Sequence, residues 1–475
     1  MQAGIEEQSA LYAKRIPIFP RTVRGNFRTF KTGVVVLAWA VFFGLVWLPW
    51  SRSDGASQAV LLDIANHQFH FLGLTVLPQD ALWFAMLMFI AATLLFFVTA
   101  MVGRAFCGYF CFQTIWTDVF IWVERMLQGD RPARVRLYKQ PWTTEKLVKL
   151  GATHLIWLII AFWTAFTFAA YFTYAPQLLH DFFTAQANYA AYLTVGILTA
   201  TTYLAAGLAR EQVCTYICPY ARFQAVMYDP ETLVVSYDER RGDGRLGRAS
   251  LRAGTKALEE RRAAGYGDCI DCTLCVQVCP AGIDIRNGFQ YPCISCGLCI
   301  DACNGVMSSI GFPRGLIRYD SEVNLKRATP APVRLDWKRL KVLGYGLALL
   351  AMGTLLVVSV TSRGSFDQAV TQIRQPLFVL LSDGRIRNRY QIRISNKTAQ
   401  DETYVLGVRG VPAAAADFGN FQRVLVKSGK NVVVQASIKL PPEQHATEFE
   451  FSVLPQSKPA EVHYNRARFY AQGAQ

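Results

Sequence analysis

Charge-free stretches recur five times along this chain, at residues 32–51, 81–103, 150–180, 182–209 and 342–362. Crossing a bilayer core takes about 20 apolar residues of helix, so the pattern predicts five transmembrane helices. The third and fourth stretches are separated only by Asp181 and read as a hairpin turning near Pro176. Residues 105–123 hold only Asp118 among charged side chains and are expected to form an interfacial helix. After residue 363 the period changes to two. Tyr390, Ile392 and Ile394 alternate with Arg389, Gln391 and Arg393, and Tyr404, Leu406, Val408 and Phe449, Phe451, Val453 repeat the pattern. Turn signals at Asp383-Gly384 and Ser428-Gly429 separate such runs. Alternation between turns argues for strands, and about seven in this length predict an immunoglobulin-like β-sandwich. Asn396-Lys397-Thr398 is read there as a turn, and His445 and His463 as isolated histidines with no metal role.

Composition agrees with a membrane protein: 52% of residues are hydrophobic and 17% charged, with a net charge of +15. The positive charge is distributed asymmetrically. Lys14, Arg15, Arg21, Arg24, Arg28 and Lys31 precede the first stretch, the 104–149 loop holds eight Lys or Arg, and 210–341 holds nineteen. The 51–80 loop holds only Arg52, and 176–188 holds none. Cytoplasmic loops carry the excess of Lys and Arg. The pattern therefore places residues 1–31 and 210–341 in the cytosol and 363–475 in the periplasm of a multi-pass protein of the bacterial cytoplasmic (inner) membrane. A sixth crossing at 105–123 would spoil this asymmetry. Ser57-Gln58-Ala59 resembles a cleavage site faintly, but the first stretch is too long and its leader too extended for a signal core, and it reads as an uncleaved anchor. No basic face with groove-reading or stacking features points to nucleic acid.

All twelve cysteines precede residue 304. Eight form two consecutive C-x2-C-x2-C-x3-C runs, Cys269, Cys272, Cys275, Cys279 and Cys293, Cys296, Cys299, Cys303. This is the bacterial two-cluster ferredoxin spacing, in which the fourth cysteine of each run reaches the other cluster. It predicts two [4Fe–4S] clusters, one held by Cys269, Cys272, Cys275 and Cys303, the other by Cys293, Cys296, Cys299 and Cys279. Structural zinc favours paired cysteines with a longer spacer, and reduced thiolates suit the cytosol better than a disulfide framework does.

The other four cysteines form an internal repeat, Cys107-Gly-Tyr-Phe-Cys111 after the second stretch and Cys214-Thr-Tyr-Ile-Cys218 after the fourth, followed by Gln113 and Gln224. C-x3-C on a helix puts both thiols on one face. Buried inert cysteine is one reading; the other is a soft-ligand site at the cytosolic boundary, suited to Cu(I). Arg104 and Arg210 precede the two pairs and are expected to favour thiolate. His154 lies near the cytosolic start of the third stretch, in reach of the same boundary, although a lone intramembrane His more often packs or hydrogen-bonds.

Arg210 through Gln224, Gly267 through Arg286 and Gly315-Leu-Ile-Arg-Tyr319 resemble the CcoG/FixG family of membrane-bound ferredoxins, as do Trp122-Val-Glu-Arg125, Gly129-Asp-Arg131 and Leu77-Pro-Gln-Asp80. The resemblance covers most of the chain. It implies the eight insert cysteines as cluster ligands, and Cys107, Cys111, Cys214 and Cys218 match the family's membrane motifs. It also implies electron transfer that reduces Cu(II) to Cu(I) for assembly of a cbb-type cytochrome oxidase, with that oxidase's assembly factors as partners. Around Arg241-Gly-Asp-Gly-Arg245 the chain departs from the family's usual proline-containing stretch, and residues 229–265 are expected to be a mobile linker. The expected organisation is thus an all-α membrane domain (32–209) of two repeated hairpins. A cytosolic loop (210–341) with a ferredoxin-like core (266–306), a fifth helix (342–362) and the β-sandwich (363–475) follow. No residue reads as a general acid, base or nucleophile, so any enzymatic activity is that of an oxidoreductase resembling a cupric reductase. Two other functions compete: an electron-transfer subunit of a quinol-linked or ion-pumping complex, and a non-enzymatic assembly scaffold. No flavin or nicotinamide motif names the electron donor.

Overall fold

A computed structural model describes residues 17–51, 58–65, 68–76, 80–251, 257–327, 332–333, 335–398, 400–441 and 448–471. Lys14, Arg15, Arg52, Leu77-Pro-Gln79 and His445 lie outside the described residues. The chain divides into two compact units, residues 1–44, 85–170 and 178–354 in one and residues 45–84, 171–177 and 355–475 in the other.

The first unit is built on long apolar helices. Six among the described residues are long and apolar enough to cross a membrane: Asn26–Trp47, Ala81–Val102, Ala105–Gln128, Thr144–Ala170, Tyr189–Ala209 and Leu340–Thr361. The sixth relative to the sequence reading is Ala105–Gln128, set aside above as interfacial. It is the most buried of the six, and its helix breaks at Cys111, which is extended and starts the segment Phe112–Gln128. Both of its acids are paired with basic side chains outside this helix. Asp118 pairs with Arg28 at 2.8 Å and Lys31 at 3.4 Å, and Glu124 pairs with Arg134 and Arg210. Around this helix Ile115, Trp116, Phe120 and Val123 pack with Trp157, Ala161 and Ala206. Trp116 Nε1 donates to Thr164 Oγ1 at 2.9 Å and Trp157 Nε1 to the Phe120 carbonyl at 3.1 Å, so these buried indoles are satisfied. Helix Leu340–Thr361 docks Val342 against Ala100 and Met101.

The cysteine-rich insert belongs to the same unit. Each cysteine run feeds a helix, Leu274–Gln277 and Leu298–Ser309. An antiparallel pair, Val234–Tyr237 with Ile317–Asp320, closes the insert. Residues 229–251 and 257–265, expected as a mobile linker, include the first of these strands and two short helices, Glu239–Gly242 and Leu258–Ala263. Its arginines are committed: Arg241 pairs with Asp268 at 2.6 Å and Arg262 with the same carboxylate at 2.8 Å.

The second unit holds a three-stranded antiparallel sheet of Val60–Asp63, Gln68–Phe71 and Leu74–Val76 and the C-terminal sandwich. One sandwich sheet has five strands and the other four. Strand Ile386–Asn396 is central to the first, pairing with Asn431–Leu440 on one side and Phe366–Gln372 on the other. Glu402–Arg409 and Glu448–Pro455 pair at the centre of the second. The inward residues of the alternation, among them Tyr390, Ile392, Ile394, Tyr404 and Phe451, are fully buried in one core. Asn396 is fully buried too; its amide donates to the Gln400 and Val426 carbonyls while its oxygen accepts from Thr398. That is an Asx-type turn. His463 stacks on Phe366 with ring centroids 4.2 Å apart.

Candidate iron–sulfur and thiol centres

The two cysteine runs fold the same backbone twice. Asp271 and Ser295, each before the second cysteine of its run, have positive φ, as do Thr273 and Gly297, each after it. Left-handed backbone at three non-glycine residues costs of order 1 kcal/mol apiece and is held where the loop must wrap inward. The result is two cavities. Cys269, Cys272, Cys275 and Cys303 line one, together with Tyr237, Arg286 and Ile317. Cys279, Cys293, Cys296 and Cys299 line the other, joined by Cys275 and Ile283. The fourth cysteine of each run therefore faces the other run's cavity.

Electrostatics follows the same division. Burial pushes Cys303 up to about 12, and its thiol neighbours are Cys275, Cys269 and Cys272. Burial likewise pushes Cys279 up to about 12, with Cys296 and Cys293 as neighbours. Backbone N–H groups of Ile283 and Ala281 point at Cys279, and that of Ile317 at Cys303. Such thiols are neutral at pH 7 until a multivalent cation takes the place of their protons. Among the described residues, no three His, Cys, Asp or Glu side chains group closely enough for a single metal ion. A tetrahedral zinc, with Zn–S near 2.3 Å, would draw its sulfurs to within about 4 Å of one another. Four thiols around a cavity, aimed at by backbone N–H groups, fit a multi-iron centre instead.

Arginines brace the first cavity from behind. Arg261, fully buried, donates to the Gly267 carbonyl at 2.6 Å and the Cys269 carbonyl at 3.0 Å. Burial works to raise the Asp268 carboxyl, but hydrogen bonds from Arg262 and Arg241 outweigh it and hold the group below the usual carboxylate range.

The four membrane cysteines are brought into one neighbourhood by a cross-brace. Gln113, after the first pair, donates to the Ala205 carbonyl at 2.8 Å and the Arg210 carbonyl at 3.2 Å. Gln224, after the second pair, donates to the Gly103 carbonyl at 3.2 Å and accepts from Cys107 Sγ at 3.3 Å. Each glutamine thus ties its own motif to the helix end preceding the other motif. The chain around the second pair is irregular: π-helical turns cover Tyr203–Ala209 and Val213–Ile217, and Arg210 between them has a φ of 42°. Burial pushes Cys214 up to about 12, reinforced by Cys111, Cys107 and Cys218, and Arg104 only partly offsets this. The expected activating role of the two arginines changes accordingly. Arg104 acts across the motifs, and burial prevails over it; Arg210 is spent on Glu124 and the Gly207 carbonyl. His154 accepts or donates at Tyr203 Oη, 2.9 Å away, and packs edge-on to Trp157.

The second cysteine-lined cavity abuts this thiol group. Cys107 shares one buried cluster with Ile294, Cys296 and Leu298. Tyr109 Oη donates to the Cys296 carbonyl at 2.8 Å. Cys214 lines a cavity whose walls include Pro280, Pro292 and Ile294, neighbours of Cys279 and Cys293.

Sequence comparison agrees with this layout. Residues 209–322 match the family model of a 4Fe-4S dicluster domain, residues 84–129 that of a 4Fe-4S binding domain, and residues 356–472 that of the IG-like fold at the C-terminal of FixG. The nitrogen fixation protein FixG of Rhizobium meliloti is 40% identical over 434 residues, 85% of this chain and 81% of that protein. The chain belongs to the FixG family. The proteins RdxA and RdxB of Cereibacter sphaeroides are each 43% identical, over 84% and 85% of this chain and 84% of either relative. The protein is accordingly an iron–sulfur electron-transfer protein of this family with apolar helices of membrane-spanning length.

In this FixG-family chain, sequence reasoning missed the arginine brace and the glutamine cross-brace. That a glutamine follows each cysteine pair, Gln113 two residues after Cys111 and Gln224 six after Cys218, was a usable signal for the second. Arg241, Arg261 and Arg262 carried no signal, because their partners are carbonyls and one aspartate chosen by the fold.

Proposed function

We propose that this protein carries single electrons from its two-cluster insert to Cu(II) held at the membrane thiols, producing Cu(I) for assembly of a cbb-type cytochrome oxidase. The observation that carries the reading is the contact between the second cavity's loop and the C-x3-C motif, where Cys107 and Cys296 share one buried cluster. When bound, the [4Fe–4S] centres supply one-electron carriage at potentials that can lie well below that of copper. Cys269, Cys272, Cys275 and Cys303 hold one centre and Cys279, Cys293, Cys296 and Cys299 the other. Burial of Cys293, Cys296 and Ile294 excludes water from the second. Soft thiols at Cys107, Cys111, Cys214 and Cys218 favour Cu(I) over Cu(II) and so pull the reduction forward. The Lys/Arg pattern orients the insert to the cytosol and the β-sandwich to the periplasm.

A second reading has its own support. Residues 84–129, which contain Cys107 and Cys111, match a 4Fe-4S binding domain, which favours iron at the membrane thiols. Serine replacements of Cys214 and Cys218 separate the two. Under the copper reading iron content stays at the parent value while bound copper and Cu(II) reduction fall. A loss of iron favours the second reading, and unchanged copper and reduction remove the site from both.

A further inference from the structure

We infer that Gly108 is the positioning residue for transfer between the insert and the membrane. It lets the backbone of the second cysteine run seat directly on the first C-x3-C motif. This makes the Cys279, Cys293, Cys296, Cys299 side the exit for electrons and the Cys269, Cys272, Cys275, Cys303 side the entrance. The inference rests on the membrane thiols being the place of copper reduction.

Gly108 lies in the short helix Ala105–Tyr109, between the two thiols of its motif. A Cβ there would stand 2.6 Å from the Ile294 carbonyl oxygen, 3.0 Å from Cys296 Cα and 3.2 Å from Cys296 N. These are backbone atoms of the iron–sulfur loop and cannot swing aside. The φ of Gly108 is not positive, so its helix would accept alanine and be improved by it. Only the approaching loop requires glycine.

The flanking residues fasten the same contact. Tyr109 Oη donates to the Cys296 carbonyl at 2.8 Å, and buried Arg104 donates to the Tyr291 carbonyl at 2.5 Å. The repeat supplies an internal comparison. In the second motif the residue matching Gly108 is Thr215, and the match for Tyr109 is Tyr216, 71% exposed against 5% for Tyr109. The two motifs therefore diverge at the positions where one of them receives the insert.

The other end of the path is open. Cys272 is the exposed cysteine of the twelve, whereas Cys293 and Cys296 are buried against the membrane motif. A one-electron carrier protein approaching the Cys272 face replaces each electron lost. Each turnover turns one Cu(II) into one Cu(I), oxidises one equivalent of that carrier and needs no proton.

The test uses the full chain, purified anaerobically, with Gly108→Ala and, as control, Gly305→Ala, since Gly305 meets nothing within 4 Å. Iron content is measured first. Cys107, 7% exposed, is then titrated with a maleimide and read by mass spectrometry. Dithionite-reduced protein is next mixed with Cu(II) or with ferricyanide, and the reoxidation of the iron–sulfur absorbance is followed. Gly108→Ala is expected to keep its iron, to make Cys107 alkylate faster, and to slow Cu(II)-driven reoxidation by about tenfold or more, as small misplacements do. Ferricyanide, which reaches the exposed face, reoxidises it at the parent rate, and Gly305→Ala matches the parent throughout. Parent-like alkylation and parent-like Cu(II) rates in Gly108→Ala overturn the inference. If Gly108→Ala loses iron, Tyr109→Phe carries the same test by deleting the hydroxyl that bonds the Cys296 carbonyl. If the parent itself does not reduce Cu(II), the copper reading fails, and the alkylation result still decides whether Gly108 seats the loop.

Discussion

Replacing Glu124 by Gln tests whether the charged interior of the helical unit is held by one carboxylate. Glu124 is 6% exposed, and its two oxygens receive Arg134, 1% exposed, and Arg210. Arg134 depends on it most, because its Nε and Nη1 find no other acceptor. Arg210 keeps the Gly207 carbonyl at 2.7 Å and the face of Trp157. An exposed pair would contribute about 0–1 kcal/mol. Removing one partner of a buried pair costs about 3–5 kcal/mol, because the remaining charge is left uncompensated. Glutamine keeps the shape and one acceptor oxygen, which puts the expected loss near the lower end, about 3 kcal/mol. The assay is equilibrium unfolding in mixed SDS–detergent micelles followed by tryptophan fluorescence, since Trp116 and Trp157 sit in this core. Adding Arg134→Met to Glu124→Gln is expected to recover much of the loss, because the orphaned cation goes with it. A loss under about 1 kcal/mol, or a double variant less stable than the single one by a full additive step, refutes the reasoning.

Cys303→Ser is expected to disturb the centre of the first run and leave that of the second intact, with Cys299→Ser doing the reverse, as read from the two EPR signals after anaerobic purification. Loss of the same signal in both variants contradicts the crossed arrangement. Reporter fusions after Gly305 and Gly419 should report opposite compartments, cytosol for the first and periplasm for the second; a shared compartment refutes the assigned orientation. Phe451→Ala removes a fully buried ring packed on Tyr390, Phe418 and Phe449 and should lower sandwich stability by about 3–5 kcal/mol. Iron content is expected to stay at the parent value, measured beside thermal unfolding of the full chain.

What could be read from sequence was whatever depends on neighbours in the chain. The alternation at Tyr390, Ile392 and Ile394 became a buried strand face because period two leaves those side chains no other side to occupy. The doubled cysteine spacing located both cavities for the same local reason. The helix Ala105–Gln128, read as interfacial from the charge asymmetry, is long and apolar enough to cross, and its Asp118 and Glu124 are paired with Arg28, Lys31, Arg134 and Arg210 from elsewhere in the chain. The strand and clamp within 229–265 were hidden by glycines and arginines whose partners, Asp268 and Ile317–Asp320, come later in the chain. Gly108 looked like an ordinary spacer, and only the approach of Ile294 and Cys296 gives it meaning.

The most direct test of electron transfer to copper is a single-turnover mixing experiment. Anaerobic protein is reduced with dithionite, freed of excess reductant and mixed with Cu(II), while iron–sulfur absorbance and Cu(I) chelator colour are recorded together. The account predicts that iron–sulfur absorbance recovers as Cu(I) appears, one Cu(I) per electron lost, and that recovery slows in the Cys214→Ser, Cys218→Ser protein. Iron–sulfur centres that stay reduced in the presence of Cu(II), or Cu(I) that forms equally fast in the serine variant, would contradict it.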